Sequence, residues 1–139
     1  MDEAVARFCA ASRSKDIDGM IATLAPDAEL VSPISGHLVF RGVEDVRFLL
    51  GAVYNLLTDV EWERDVGDGQ LRLALSRAKI GGIRVTDAMV FELDDQGRIW
   101  RIRPHLRPWL ALSVFALLVG PKVARRPDAV RRALRTRWR

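Results

Sequence analysis

From residue 59 to residue 105 the chain alternates apolar and polar side chains in four runs. These are DVEWERDV (59–66), QLRLALSRAKI (70–80), IRVTDAMVFEL (83–93) and RIWRIRPH (98–105). The joints between them are GDG, GG and DDQG. A period of two describes strands that bury one face, and joints this short leave each strand no partner but its antiparallel neighbour. Four strands in a meander are therefore expected. A sheet of this kind must find something to cover its apolar face.

The cover lies upstream. Residues 3–13 read as a helix with Val5, Phe8 and Cys9 in step, and Asp16 caps a second helix that buries Ile17, Met20, Ile21 and Leu24 before Pro26. AELVSP (28–33) reads as a short strand, with HLVF (37–40) pairing back on it. GVEDVRFLLGAVYNLL (42–57) is the strongest helix, with Glu44 and Asp45 in its first turn and Val46, Leu49, Leu50, Val53 and Leu57 in one stripe. Helices followed by an antiparallel meander predict an α+β fold, with the helices on one face of a curved sheet. The chain of 139 residues suits one such unit at residues 1–107, followed by an extension at 108–139.

Composition narrows the function classes. The single cysteine, Cys9, excludes an internal disulfide and a cysteine-rich metal site, and its phase makes it a small core residue. There is no phosphate-binding glycine loop, no dinucleotide fingerprint and no serine-nucleophile motif. No cofactor is expected. The two histidines, His37 and His105, have no carboxylates at ligand spacing, so no metal is expected either. The N-terminus MDEAVARF lacks the apolar core of a secretory signal, which makes a cytoplasmic location the expectation. Residues 122–139 hold eight Lys/Arg and one Asp, so the whole chain's +4 leaves −3 for residues 1–121. A basic tail can hold acidic lipid or nucleic acid, but the mildly acidic body gives no reason to expect a nucleic-acid-binding fold, and no nucleic-acid partner is expected.

On the period-two reading, Ile83, Val85, Asp87, Met89, Phe91 and Leu93 share one face. A carboxylate in that apolar row would be desolvated and its pKa raised, which makes Asp87 the candidate for acid/base chemistry. The alternative is a structural aspartate that accepts hydrogen bonds from a neighbouring turn. Arg77 continues the row Leu71, Leu73, Leu75, so it either points inward toward Asp87 or reaches the solvated rim of the sheet. Tyr54 and Asn55 offer hydrogen bonds from the third helix, and His105 ends the last strand on a face shared with Arg101 and Arg103. Phe8, Phe48, Phe91, Trp62 and Trp100 are candidates for the wall of an apolar pocket, or for ordinary core.

DIDGMIATLAPDAELVSPISG, FRGVEDVRFLL and DAMVFELDDQGRI, within residues 3–105, resemble the nuclear transport factor 2-like superfamily, which includes SnoaL-like proteins and ketosteroid isomerases. The resemblance implies a cone of helices and bent sheet around an apolar pocket. It also implies three isomerase roles, and two of them are replaced here. Phe8 stands for the tyrosine that donates to the oxyanion, and Ser32 before Pro33 for the aspartate base. Asp87 matches the aspartate that is kept protonated in an apolar site. With Asp87 as the catalytic group, the ligand-contacting set is Phe8, Ser32, Tyr54, Trp62, Arg77, Met89 and His105. Three functions follow as expectations: an isomerase, cyclase or hydrolase on an apolar substrate, a non-catalytic carrier of a hydrophobic ligand, or a membrane-surface protein. A homodimer is also expected.

The extension begins with the most apolar run of the chain, WLALSVFALLV (109–119). As a helix it is about 16 Å long, against a hydrocarbon core of about 30 Å, so it does not span a bilayer. Gly120–Pro121 is expected to end it; burial over the cone or a second subunit is its expected fate, and the alternative is that it lies in a membrane interface beside the Arg-rich segment that follows. In RPDAVRRALRTRWR, Val130, Leu134 and Trp138 take one face while Arg131, Arg132, Arg135 and Arg139 take others. That segment is either a docked tail or a helix on an anionic membrane surface, which would make the protein peripheral to the inner face of the membrane.

Overall fold

The computed structural model describes residues 3–35 and 37–135, and the four-stranded meander is present in it. Its strands are β3 (Leu57–Asp68), β4 (Leu71–Ile80), β5 (Ile83–Leu93) and β6 (Ile99–Arg103), each antiparallel to the next. The turn between β4 and β5 is two glycines, Gly81 and Gly82, both at positive φ (55° and 80°). A two-residue hairpin needs that conformation twice, and glycine adopts it without a Cβ penalty.

Helices α1 (Glu3–Arg13), α2 (Ile17–Ile21) and α3 (Val43–Tyr54) precede the meander, with β1 (Leu24–Val31) and β2 (Val39–Arg41) between them. β1 runs parallel to β6 and antiparallel to β2, giving the order β2-β1-β6-β5-β4-β3. The fold is a mixed α+β cone with a curved, unclosed sheet, and the described residues form seven strands and five helices. Phe8 of α1 meets Phe91 of β5 edge to face at 5.2 Å, and both are fully buried. Trp62 lies against the same ring at 6.4 Å, and its indole Nε1 donates to the Ser12 hydroxyl at 2.8 Å.

Several boundaries differ from the sequence reading. Asp16 does cap α2, accepting from the Gly19 N–H at 3.0 Å, but α2 ends at Ile21. Leu24 and Pro26 belong to β1, which starts four residues earlier than expected. Pro26 fits there because the pairing of β1 with β6 shifts register between Leu24 and Glu29, so its missing N–H interrupts no regular ladder. The third helix stops at Tyr54, and Leu57 opens β3 instead of extending the helix.

The phase of β4 corrects a second expectation. Ser76 pairs with Asp87 and Ala74 with Met89, so the inner face of β4 carries Ala74, Ser76 and Ala78. Leu71, Leu73, Leu75 and Arg77 point the other way, and Leu71 and Leu75 are 53% and 40% exposed. Arg77 is outside the cone, with its guanidinium 3.0 Å from the Glu61 carboxylate and 3.9 Å from that of Glu63. Large apolar side chains normally mark the buried face, but here the inner face is kept small because it borders a cavity.

After β6 a two-residue strand, β7 (Leu106–Arg107), returns to β5, and two helices follow, α4 (Trp109–Ala124) and α5 (Pro127–Arg135). Gly120–Pro121 does not end α4, which continues for a further turn. Proline removes one helical hydrogen bond and crowds the Cβ of the residue before it, and the glycine at 120 has none to crowd. Ala111, Phe115 and Val119 of α4 bury against Ile80 and Val85 at the β4–β5 hairpin. The opposite side of α4 is not buried: Trp109 is 76% exposed and Leu117 is 73% exposed. The basic segment docks. Ala129 and Ala133 of α5 enter the main core, and Arg132 donates two 2.8 Å hydrogen bonds to the buried Asp45 carboxylate. Trp138 and Arg139 lie outside the described residues. Among those described, no helix is long and apolar enough to cross a membrane.

Candidate functional site

A cavity of about 560 Å³ lies between the inner face of the sheet, α3 and the two C-terminal helices. Leu30 and Phe40 come from β1 and β2, Leu49, Leu50, Val53 and Tyr54 from α3, and Ala78, Val85 and Met89 from the sheet. Phe115 and Val119 of α4, with Val130 and Leu134 of α5, close the other side. The few polar side chains on its wall include Ser32, Tyr54, Ser76, Asp87 and Arg131. Ile34, Pro127, Arg131 and Leu134 are exposed wall residues, so they mark the mouth, between the β1–β2 loop and α5.

Asp87 reaches this cavity by strand alternation and is held there by an irregularity opposite it. β5 pairs with β6 as far as Val90–Arg103 and with β7 from Asp87–Leu106, and Pro104 and His105 fall between. The Ala88 N–H still donates to the His105 carbonyl at 3.0 Å. The His105 N–H, however, donates to Asp87 Oδ1 at 2.9 Å, while His105 Nδ1 lies 3.1 Å from the Ala88 carbonyl. A carbonyl only accepts, so that contact fixes the proton on Nδ1. The side chains of Asp87 and His105 thus replace one backbone bond of the ladder. Among the described residues, Asp87 Oδ2 takes no hydrogen bond, and it belongs to a cavity-lining group.

The electrostatics follow from burial. Loss of solvent pushes the Asp87 pKa up to about 6, against the hydrogen bond and charge of His105, which lower it. Burial first, and the Asp87 charge next, hold the Tyr54 phenol above its ordinary range. Tyr54 is 4% exposed, and its hydroxyl makes no hydrogen bond among the described residues. It is a neutral donor facing an apolar space. The Cys9 thiol is raised to about 12 by burial and then by Asp65, which keeps it protonated and unreactive.

Of the residues read from the sequence, Ser32, Tyr54, Asp87 and Met89 line the cavity together. Phe8 and Trp62 are core residues beneath Phe91 and do not line it, and Arg77 is outside. His105 supports Asp87 from the strand edge. Trp100 lies under the Arg101 guanidinium at 4.3 Å, and Phe48 under that of Arg126 at 4.9 Å. The aromatic wall is instead Phe40, Tyr54 and Phe115. Ser76 had a signal, as the residue that a GG hairpin register sets opposite Asp87. Phe115 and Arg131 had none, because nothing local states where the last helices fold back. Among the described residues no three His, Cys, Asp or Glu side chains cluster as a metal site would require.

The sequence profile of the SnoaL-like domain matches residues 5–102, most of the chain. The chain belongs to the SnoaL-like domain family. No curated protein matches the sequence. Among solved structures, an uncharacterised protein of cystatin-like fold from Silicibacter pomeroyi is similar at 21% identity, over 96% of this chain and 95% of that one, with a TM-score of 0.87. A steroid delta-isomerase from Pseudomonas aeruginosa is similar at 24% identity, over 91% and 93%, with a TM-score of 0.79. A Sinorhizobium meliloti protein assigned as a polyketide cyclase is similar at 24% identity, over 76% and 95%, with a TM-score of 0.65. The first two likenesses extend past the SnoaL-like match, so the C-terminal helices have counterparts in overall shape. Identities this low carry the fold and not the chemistry.

Proposed function

We propose that this SnoaL-like protein is an acid/base enzyme of isomerase type, acting on an apolar, ring-containing carbonyl compound bound in the cavity. The observation that carries the reading is Asp87, a carboxyl group with one unengaged oxygen in a nearly all-apolar cavity. With its pKa near 6, most molecules hold Asp87 ionised at neutral pH, and a desolvated carboxylate is a stronger base than one in water. For a β,γ-unsaturated ketone, Asp87 takes a proton from the carbon between the carbonyl and the double bond. Tyr54 donates to the ketone oxygen as negative charge gathers there. Asp87 then returns the proton to the far end of the dienolate, and the product is the conjugated enone. This assigns the base role to β5, in place of the β1 position where Ser32 stands. The likeness to a steroid delta-isomerase supports a polycyclic substrate.

The test uses a polycyclic β,γ-unsaturated ketone, with formation of the conjugated enone followed by ultraviolet absorbance. The rate should rise with pH to a plateau, half-maximal near pH 6, the midpoint that burial gives Asp87. Asp87→Asn should lower it by at least ~100-fold, and Tyr54→Phe by roughly 10-fold to 100-fold. Turnover by Asp87→Asn at the wild-type rate would dismiss the mechanism. Ser32 at the family's base position favours a second reading, a carrier that binds the ketone and returns it unchanged. Tight binding without conversion would establish that one.

A further inference from the structure

We infer that the outer face of α4 is a docking surface for an anionic lipid bilayer, which sets the mouth of the cavity against the membrane. The buried residues Ala111, Phe115 and Val119 recur every four positions and define the inner side of the helix. On the other side, Trp109, Leu110 and Leu117 are 76%, 51% and 73% exposed, and no charged side chain interrupts them. Leu117, Gly120 and Ala124 follow at helical spacing, and Gly120 and Ala124, both exposed, also belong to the cavity wall. The apolar strip is therefore continuous with the cavity. At the mouth, Ile34 and Leu134 add further exposed apolar surface, at 51% and 61%.

Charge selects the occupant. Arg107 precedes the strip, and Arg125, Arg131 and Arg135 follow it; all four are exposed and have no acidic partner among the described residues. A second copy seated on this strip would bring two basic rims together, which opposes a dimer here. A lipid surface with negative headgroups meets the same rim with opposite charge and receives the tryptophan and leucines at its hydrocarbon edge. The helix is about 24 Å long over its 16 residues, which suits lying along the interface. An apolar ligand held in the bilayer would then pass from lipid to cavity along a surface that water does not cover. Docking here depends on exposure and charge alone, so a protein that failed to bind lipid would still carry the chemistry at Asp87.

The experiment is co-sedimentation of the full-length protein with vesicles of 7:3 phosphatidylcholine and phosphatidylglycerol at about 0.15 M salt, the physiological ionic strength. The protein should pellet with these vesicles and bind pure phosphatidylcholine at least tenfold more weakly, a ~10-fold effect being modest for a basic rim. Leu117→Glu and Trp109→Glu alter exposed positions that the fold does not use. Each should lower binding about tenfold or more, with an unchanged far-ultraviolet spectrum. Trp109→Phe should retain binding and lose the blue shift of tryptophan fluorescence that lipid produces. The pair Arg125→Glu and Arg135→Glu should abolish the preference for phosphatidylglycerol. Wild-type protein that stays in the supernatant would overturn the inference, as would a Leu117→Glu variant that pellets like wild type. A dimer without lipid that Leu117→Glu dissociates would also overturn it, giving the strip to a second copy.

Discussion

Replacing Asp87 with asparagine is expected to stabilise the protein at pH 8 and to leave it unchanged at pH 3. Burial raises the pKa of this carboxyl from an ordinary 3.8 to about 6. The folded protein therefore holds the proton more tightly than the unfolded chain does. Between these two values the folded state binds more protons, so stability falls as pH rises through the window and the penalty is complete above it. At 1.36 kcal/mol per unit, a shift of this size corresponds to roughly 2–3 kcal/mol. Asparagine never ionises, and its Oδ1 still accepts from the His105 N–H, so the ladder at Ala88–His105 keeps its form. Urea unfolding at the two pH values should show a gain of about 2 kcal/mol at pH 8 and superimposable curves at pH 3, below both values. Equal loss of stability at both would mean that the carboxylate is a structural anchor and that desolvation does not dominate. The same substitution should abolish proton transfer, so stability and activity would move in opposite directions, as expected where strain is stored at a working site.

The second large effect is expected at Phe115, whose ring is 5% exposed and belongs both to the cavity wall and to the cluster with Ile80 and Val85. Phe115→Ala should lower stability by about 3 kcal/mol, the low end of such truncations, because the ring already borders open space. The more telling consequence is electrostatic. Water admitted through the gap would restore solvent to Asp87, and its pKa should drop back toward 4. The half-maximal point of any pH–rate profile should move down with it. An unchanged midpoint would mean that α4 is not what keeps the carboxyl dry.

Much of the cone was legible because the decisive signals were local. The GG hairpin and the alternation of β5 placed Asp87 and Met89 on the inner face, and the stripe of α3 placed Tyr54 near them. The failures have physical causes as particular as the successes. Arg77 does not belong in the ligand set, because β4 is amphipathic the wrong way round, with leucines outside, Ala74 in the core and Ser76 and Ala78 bordering the cavity. Pro26 read as a stop, whereas a register shift in β1 accommodates it. Gly120–Pro121 reads as a break, but α4 runs through it to Ala124. Trp62 and Phe8 have the right character for a pocket, but the core had the prior claim on them. No pattern within residues 109–135 specifies that Phe115 and Val130 close the cavity, since that contact is set by the whole cone and not by neighbours in sequence. Nor does local sequence reveal that the break in pairing between Arg103 and Leu106 leaves the His105 N–H to Asp87.

Everything proposed for the cavity depends on Asp87 being a desolvated, titratable carboxyl among apolar side chains. The most direct measurement is a pH titration of its side-chain carboxyl by carbon-13 NMR in the full-length protein, assigned with Asp87→Asn. A midpoint near pH 6 is predicted, well separated from the exposed aspartates. A midpoint at about 4 or below, the ordinary range for aspartate, would contradict the account.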